Sequence, residues 1–126
     1  MLKAVLLDVY NEKVEIKDIE PELEEYYRLL DCTLVDIVTR KIGGKLFYIV
    51  CDEEGLYSHG DDPRISALNG DYEPMLVGNL LVLGYSDDGE ERGLEDEEVV
   101  HVMDHIRKIR TNHRPDGYKM LTDVDY

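Results

Sequence analysis

The stretch TLVDIVTRKIGGKLFYIVC, residues 33–51, decides the fold. Residues 33–42 are rich in Val, Ile and Thr, and residues 46–51 are apolar and aromatic, so both segments favour β-strands. Between them, Gly43 and Gly44 supply the positive φ angles that a tight turn between antiparallel strands requires. The sequence therefore predicts a β-hairpin at this point of the chain.

A second hairpin is predicted at the start of the chain. Residues 2–9 form an apolar run of strand length, and residues 13–19 alternate polar with apolar side chains. Pro21 then suits the first position of a helix. A short amphipathic helix is indicated by apolar side chains that recur at helical spacing: Leu23, Tyr26, Tyr27 and Leu30.

The second half of the chain begins with a mostly irregular stretch, residues 56–74. Residues 75–85 are a nearly continuous apolar run, which predicts a central strand with Gly78 at a bulge or a close contact. Residues 94–110 show the clearest helical pattern. Their apolar stripe consists of Val99, Val102, Met103, Ile106 and Ile109.

These elements predict a single α+β domain over residues 1–110, followed by a polar C-terminal tail at 111–126. We expect a mostly antiparallel sheet, built from the two β-hairpins and the central strand. It should pack against the C-terminal amphipathic helix and the shorter helix. The tail should be mobile unless residues 118–121 add an edge strand.

The charge of the chain limits its partners. The 126 residues include 29 Asp plus Glu against 14 Lys plus Arg, which gives a net charge of -15. Such a charge repels nucleic acid and anionic membranes. Proteins that bind either of them do so largely through Lys and Arg side chains, so direct binding to either is not expected. No segment approaches the roughly 20 apolar residues of a membrane span, and a charge interrupts the N-terminal apolar run early. We expect a cytoplasmic protein.

Candidate catalytic and metal-binding motifs are weak. His101 and His105 lie four residues apart, but helical spacing places them opposite the apolar stripe, so we expect them in solvent. The serines lack the spacing of a nucleophile elbow. Cys32 and Cys51 belong to no paired motif and are expected to be buried free thiols. The sequence thus assigns no catalytic residue, no metal ligand and no cofactor, and it favours a protein that is not an enzyme.

Three segments resemble a family of domains of unknown function carried by phages, plasmids and integrative elements of Firmicutes. They are the opening MLKAVLL at 1–7, GNLLVLG at 78–84 and LEDEEV at 94–99. The resemblance implies a setting in mobile genetic elements. It supplies no catalytic residues.

The crowded carboxylates suggest a function. Fifteen net charges equal those on about 25 Å of duplex DNA, which is comparable with the width of the domain. If the carboxylates share one side, they form an acidic interaction surface for a protein with a basic surface. The predicted surface consists of Glu22, Glu24, Glu25, Asp52, Glu53, Glu54, Asp61, Asp62, Asp87, Asp88, Glu90 and Glu91.

The leading hypothesis is therefore a non-enzymatic accessory protein of a mobile element. It would bind a host or defence protein through the acidic surface, as a nucleic-acid mimic or nuclease antagonist. One alternative is a module that binds a small molecule or nucleotide signal, in which Arg64, Tyr57 and Tyr72 close over an anion. Another alternative is a structural or regulatory domain without a ligand.

Overall fold

Both predicted hairpins are present. In the computed structural model, which describes residues 1–57, 60 and 62–126, strands β1 (Leu2–Asp8) and β2 (Lys13–Ile19) pair antiparallel. Strands β3 (Val35–Ile42) and β4 (Lys45–Asp52) do the same. The turn of this second hairpin has φ angles of 55° at Gly43 and 83° at Gly44. A side chain at Gly43 would also collide with the His105 ring, since its Cβ would lie 2.4 Å from Nε2.

The remaining elements complete two sheets within the described ranges. In chain order they are helix α1 (Leu23–Leu30), strands β5 (Ile65–Leu68), β6 (Pro74–Val77) and β7 (Leu80–Gly84), helix α2 (Asp96–Asp104), and strands β8 (Ile106–Ile109), β9 (Tyr118–Leu121) and β10 (Val124–Asp125). The first sheet has the order β10-β3-β4-β7-β1-β2 and the second the order β6-β5-β9-β8. The β5–β9 pair is parallel and the other named pairs are antiparallel. The predicted α+β class with mostly antiparallel pairing is confirmed.

The first sheet has a hydrophobic core on each face. On one face, Leu6, Val50 and Leu81 pack against Tyr26 and Leu30 of α1. The core on the opposite face joins side chains of the first sheet to the second sheet and to α2: Val5, Leu7, Phe47, Ile49, Leu80 and Val82 meet Ala67, Val99, Val102, Met120 and Leu121. The protein is thus layered as α1, the first sheet, and then the second sheet with α2.

The predicted central strand 75–85 is two strands. Gly78 has a φ of 87°, which ends β6, and β7 then enters the other sheet. Between them, the buried Asn79 accepts a hydrogen bond from the Val9 N–H at 2.9 Å and donates to the Leu30 carbonyl at 3.3 Å. This amide therefore connects the junction to β1 and to the end of α1.

The predicted helix over 94–110 ends early. Helix α2 stops at Asp104, and residues 106–109 form strand β8 instead. The His105 carbonyl accepts hydrogen bonds from the backbone N–H of Thr122 at 2.7 Å and from its hydroxyl at 2.8 Å. Residues 106–109 then pair with β9. Contacts with a distant segment therefore replace the helical hydrogen bonds that the local pattern favours.

Residues 111–126, predicted as a polar tail, contribute to the core. Strand β9 lies inside the second sheet between β5 and β8, and β10 lies at the edge of the first sheet beside β3. Met120, Leu121 and Val124 are fully buried. The segment at 118–121 is therefore an interior strand, and the fold continues to the end of the chain.

Candidate functional site

The side of the first sheet that α1 covers, here called the α1 face, collects most of the predicted acidic residues. Glu22 and Glu24 are exposed at the start of α1, and Glu25 is half-buried beside Arg28. Acidic residues at a helix start also stabilise the helix, because the free N–H groups there carry partial positive charge. These three carboxylates form the centre of an acidic surface.

An acidic loop, residues 86–91, is held against the α1 face by two tyrosines. The Tyr26 hydroxyl donates to Glu91 Oε2 at 2.7 Å, and the Tyr48 hydroxyl donates to the Ser86 carbonyl at 2.8 Å. Burial, and then the neighbouring Glu91 carboxylate, raise the pKa of Tyr26 well above its ordinary value. Tyr26 therefore remains protonated and keeps its hydrogen bond to the loop at neutral pH.

A second acidic turn lies at the other end of α1. The Glu53 N–H donates to the Leu34 carbonyl at 3.1 Å. Asp31 and Cys32, just after the helix, line a shallow hollow of about 250 Å³ together with Glu54. Carboxylates therefore lie at both ends of α1 as well as on the helix.

Nine of the twelve predicted acidic residues belong to the α1 face, namely Glu22, Glu24, Glu25, Glu53, Glu54, Asp87, Asp88, Glu90 and Glu91. Two others do not contribute to it, because Asp52 is buried and Asp62 lies in a cleft formed by the second sheet and its loops. Asp61 lies outside the described residues. Most members of the predicted surface therefore lie near one another along α1, and the acidic interaction surface stays a prediction.

The cleft that contains Asp62, here called the arginine cleft, has a volume of about 450 Å³ and is lined by Arg64, Thr111, His113, Arg114 and Tyr118. The Arg64 guanidinium donates to the Val9 carbonyl at 2.8 Å. It also lies over the rings of Tyr10 and Tyr118, 5.7 and 5.4 Å from their centroids. The two rings fix the orientation of this arginine.

Asp62 links the two arginines of the cleft. One of its oxygens accepts from Arg64 Nε at 3.3 Å, and the other accepts from Arg114 Nη2. Burial alone would raise the pKa of Asp62, but the hydrogen bonds and positive charges of Arg114 and Arg64 hold it below its ordinary value. The carboxylate is therefore ionised at neutral pH, and the cleft carries two guanidiniums around one negative charge.

The predicted ligand trio of Arg64, Tyr57 and Tyr72 is not assembled. Tyr57 is 76% exposed and lines the hollow beside α1, and Tyr72 is 65% exposed in the turn between β5 and β6. Arg64 instead lies between tyrosines at positions 10 and 118. Sequence analysis missed those partners because they lie about 54 residues away on either side.

The histidines of α2 are not in solvent as predicted. His101 Nε2 lies 2.7 Å from the Ile42 carbonyl, and its ring stacks on Phe47 with centroids 5.8 Å apart. His105 Nδ1 lies 2.7 Å from the His101 carbonyl. The β3–β4 turn folds over this side of the helix, so both rings have packing roles there. No group of three or more potential metal-binding side chains is found among residues 1–57, 60 and 62–126.

Both cysteines are free thiols; Cys51 is buried as predicted, whereas Cys32 is half-buried. Burial raises the pKa of Cys51 to about 12 and that of Cys32 to about 11. Both thiols therefore stay protonated at neutral pH, a state in which sulfur is a poor nucleophile. Within the described part of the chain, no helix is long and apolar enough to cross a membrane.

A family model described as "Domain of unknown function (DUF3846)" matches residues 2–107. The chain belongs to the DUF3846 family. Searches of curated proteins and of solved structures gave no match. The DUF3846 match contains the whole α1 face, together with Asp62 and Arg64, and it ends within β8. Arg114 and Tyr118 lie beyond it, so the arginine cleft combines residues inside and outside the DUF3846 segment.

Proposed function

We propose that this DUF3846 protein is a non-enzymatic accessory protein of a mobile element, active in the cytoplasm. It binds a host or defence protein that has a basic surface, and it does so through the α1 face. The observation that carries the proposal is the joining of separate acidic segments along α1, since Tyr26 and Tyr48 hold one loop at its start and Leu34 holds a turn near its end. Such a surface can imitate nucleic acid and antagonise a nuclease.

The charge density of the α1 face supports imitation of a phosphate backbone. Duplex DNA carries one negative charge per roughly 1.7 Å of axis, so nine carboxylates correspond to about 15 Å of duplex. Helix α1 has eight residues, which span about 12 Å, and the two acidic loops extend the face beyond both ends. The nine carboxylates therefore equal the number of phosphates on a stretch of duplex only slightly longer than α1 itself.

Exposed apolar side chains on the α1 face favour a protein partner. Ile37 pairs with Val50, which packs beneath α1, and Leu46 lies two residues from Tyr48 on the same side of β4. Leu23, Ile37 and Leu46 are 55%, 41% and 36% exposed. Protein interfaces combine an apolar centre with a polar rim. The α1 face offers both features.

Competition with DNA tests the proposal. The full-length protein is titrated against a panel of purified basic nucleases bound to a fluorescent duplex, at several concentrations of KCl. We expect displacement of the duplex from at least one nuclease, weakening as KCl rises, because salt screens the charges. A triple substitution on the α1 face should weaken the displacement by about tenfold or more: Glu22→Gln, Glu24→Gln and Glu90→Gln.

A matched variant distinguishes the effect of the α1 face on DNA displacement from the effect of the net charge. It removes three exposed carboxylates on the side of the second sheet and α2: Asp71→Asn, Asp104→Asn and Asp116→Asn. We expect it to displace the duplex almost as well as the unmodified protein. The proposal is wrong if no nuclease in the panel releases DNA. Equal weakening by the two triple variants would also contradict it, because the effect would then come from total charge.

A further inference from the structure

The arginine cleft has features of a binding site that are independent of the α1 face. Arg64 is anchored deep in the wall, with a side chain only 15% exposed, whereas the Arg114 side chain is 39% exposed. A smaller hollow of about 240 Å³ adjoins the main cleft and shares Arg64, Arg114 and Tyr118 with it. Both arginines therefore line two neighbouring hollows.

The cleft contrasts with the charge of the whole chain. With a net charge of -15, the protein has few cations, and each is expected to pair with a nearby acidic residue. In the cleft, two arginines that are 50 positions apart share one carboxylate, Asp62, and His113 lies beside them. A guanidinium has a planar fork of N–H donors. Within the described ranges, the acceptors for these two forks are Asp62 and the Val9 carbonyl, which leaves further donors for a ligand.

We propose that the arginine cleft binds a small organic phosphate, with Arg64 and Arg114 as the phosphate-binding residues. Two converging guanidiniums match the charge and the several oxygens of a phosphate group, which accepts paired hydrogen bonds from arginine. A ligand with a single carboxylate group would need only one of the two guanidiniums. The proposal concerns a second site and does not depend on the function of the α1 face.

The size and walls of the cleft indicate that the phosphate carries an organic group. A volume of about 450 Å³ falls within the range of small-molecule sites, roughly 300 to 1,000 Å³, and greatly exceeds that of a phosphate ion. Pro63, Ile65 and Tyr118 give the wall an apolar part next to the arginines. A nucleoside monophosphate has a planar aromatic base, whose faces can pack on an apolar wall, and a dianionic phosphate group, so it suits this arrangement.

Binding of AMP, adenosine and inorganic phosphate to the full-length protein tests the proposal by calorimetry and by amide shifts in NMR spectra. We expect AMP to bind at least about tenfold more tightly than inorganic phosphate, and adenosine to bind more weakly than AMP. The amide shifts caused by AMP should centre on residues 62–65 and 111–118. Equal affinity for AMP and inorganic phosphate would overturn the organic part of the proposal, and equal affinity for AMP and adenosine would overturn the phosphate part.

The variant Arg114→Gln tests the role of the guanidinium. It should weaken AMP binding by about tenfold or more, because one charged donor group is lost. Arg107→Gln removes an exposed arginine from β8 and serves as the control, with little effect expected. Thermal melting of both variants verifies that they are folded. The proposal is overturned if AMP does not bind the unmodified protein, or if the two variants weaken binding equally.

Discussion

The α1 face and the second-sheet side of the molecule treat carboxylates differently. On the α1 face, seven of the nine acidic residues are exposed, and within the described part of the chain the arginine that contacts one of the nine is Arg28, at Glu25. On the other side, Asp62 is held by two arginines, and the buried Glu98 is held by Arg92 through both oxygens, at 2.7 and 3.0 Å. The comparison shows that the acidic face arises from where the arginines are placed as much as from the number of acidic residues.

Positive and negative residues are also distributed unevenly along the chain. Residues 101–126 hold five of the 14 Lys plus Arg and four of the 29 Asp plus Glu. This segment contains the end of α2, strands β8 and β9 of the second sheet, and β10 at the edge of the first sheet, and it brings Arg114 to Asp62. The excess of negative charge therefore belongs to residues 1–100, which include the α1 face.

The largest expected difference in the free energy of unfolding is that between the variants Glu98→Ala and Glu24→Ala. Glu98 is 2% exposed, accepts from Arg92 and also accepts from the Glu95 N–H at 3.0 Å, so its loss leaves partly buried donors without an acceptor. We expect the free energy of unfolding to fall by about 3 kcal/mol. For the exposed Glu24, the change should stay within about 0.5 kcal/mol. Urea unfolding at neutral pH measures both, and similar losses would contradict the contrast.

Acidification should reduce the stabilisation that Glu98 provides. The hydrogen bonds from Arg92 lower its pKa below the ordinary value of 4.5, although burial opposes the shift. Because the pKa is depressed in the folded state, Glu98 stabilises the fold above pH 4.5, and the effect is lost as the pH falls through the folded-state pKa. The difference in unfolding free energy between the unmodified protein and Glu98→Gln should therefore shrink on acidification. A constant difference between neutral pH and about pH 3 would show that the charge of Glu98 has no role.

Asp62→Asn should destabilise the protein less than Glu98→Ala does, and it should strengthen the binding of AMP. The ion pairs of Asp62 are partly exposed to solvent, so their loss should cost about 1 kcal/mol. The substitution also removes the carboxylate that competes for Arg64 and Arg114, so AMP should bind more tightly. Urea unfolding and calorimetry measure the two effects on the same sample. Weaker AMP binding would indicate that Asp62 positions the arginines and does not compete with the ligand.

Neutralising the α1 face should change stability least. The triple substitution Glu22→Gln, Glu24→Gln and Glu90→Gln removes exposed charges that repel one another, while it also weakens favourable interactions with the start of α1. These effects oppose each other, and we expect a net change within about 0.5 kcal/mol. Urea unfolding at low and high salt provides the measurement. A loss above about 2 kcal/mol would show that these carboxylates are structural.

The two hairpins of the first sheet, β1–β2 and β3–β4, were predictable from the sequence. In their strands, polar and apolar side chains alternate or apolar side chains form a continuous run, and Gly43 and Gly44 mark the turn of the second hairpin. The local sequence preferences therefore agree with the tertiary structure. The presence of α1 was also predictable from the spacing of Tyr26 and Leu30, both of which are buried, although the helix begins at Leu23, two residues after Pro21. In these elements, neighbours along the chain supply most of the turn and hydrogen-bonding information.

Most of the second sheet was not predictable, although a strand at 118–121 was an open alternative. Residues 106–109 continue the helical apolar stripe of α2, and nothing local signals that Thr122 takes the His105 carbonyl. The strand at 118–121 follows a polar segment that has the composition of a tail. The candidate sites differ in the same respect: the carboxylates of the α1 face could be named from local clusters in the sequence, while the partners of Arg64 could not.

The sequence by itself determined the hairpins, the first helix, the α+β class and the excess of carboxylates, because periodicity, turn residues and charge are local properties. The tertiary structure decided where those carboxylates remain unpaired. It placed Arg92 on Glu98 and Arg114 on Asp62, and it attached the acidic loops to α1 through Tyr26 and Tyr48. Contacts between residues far apart in the chain depend on how the layers pack, and for that reason composition and spacing could not reveal them.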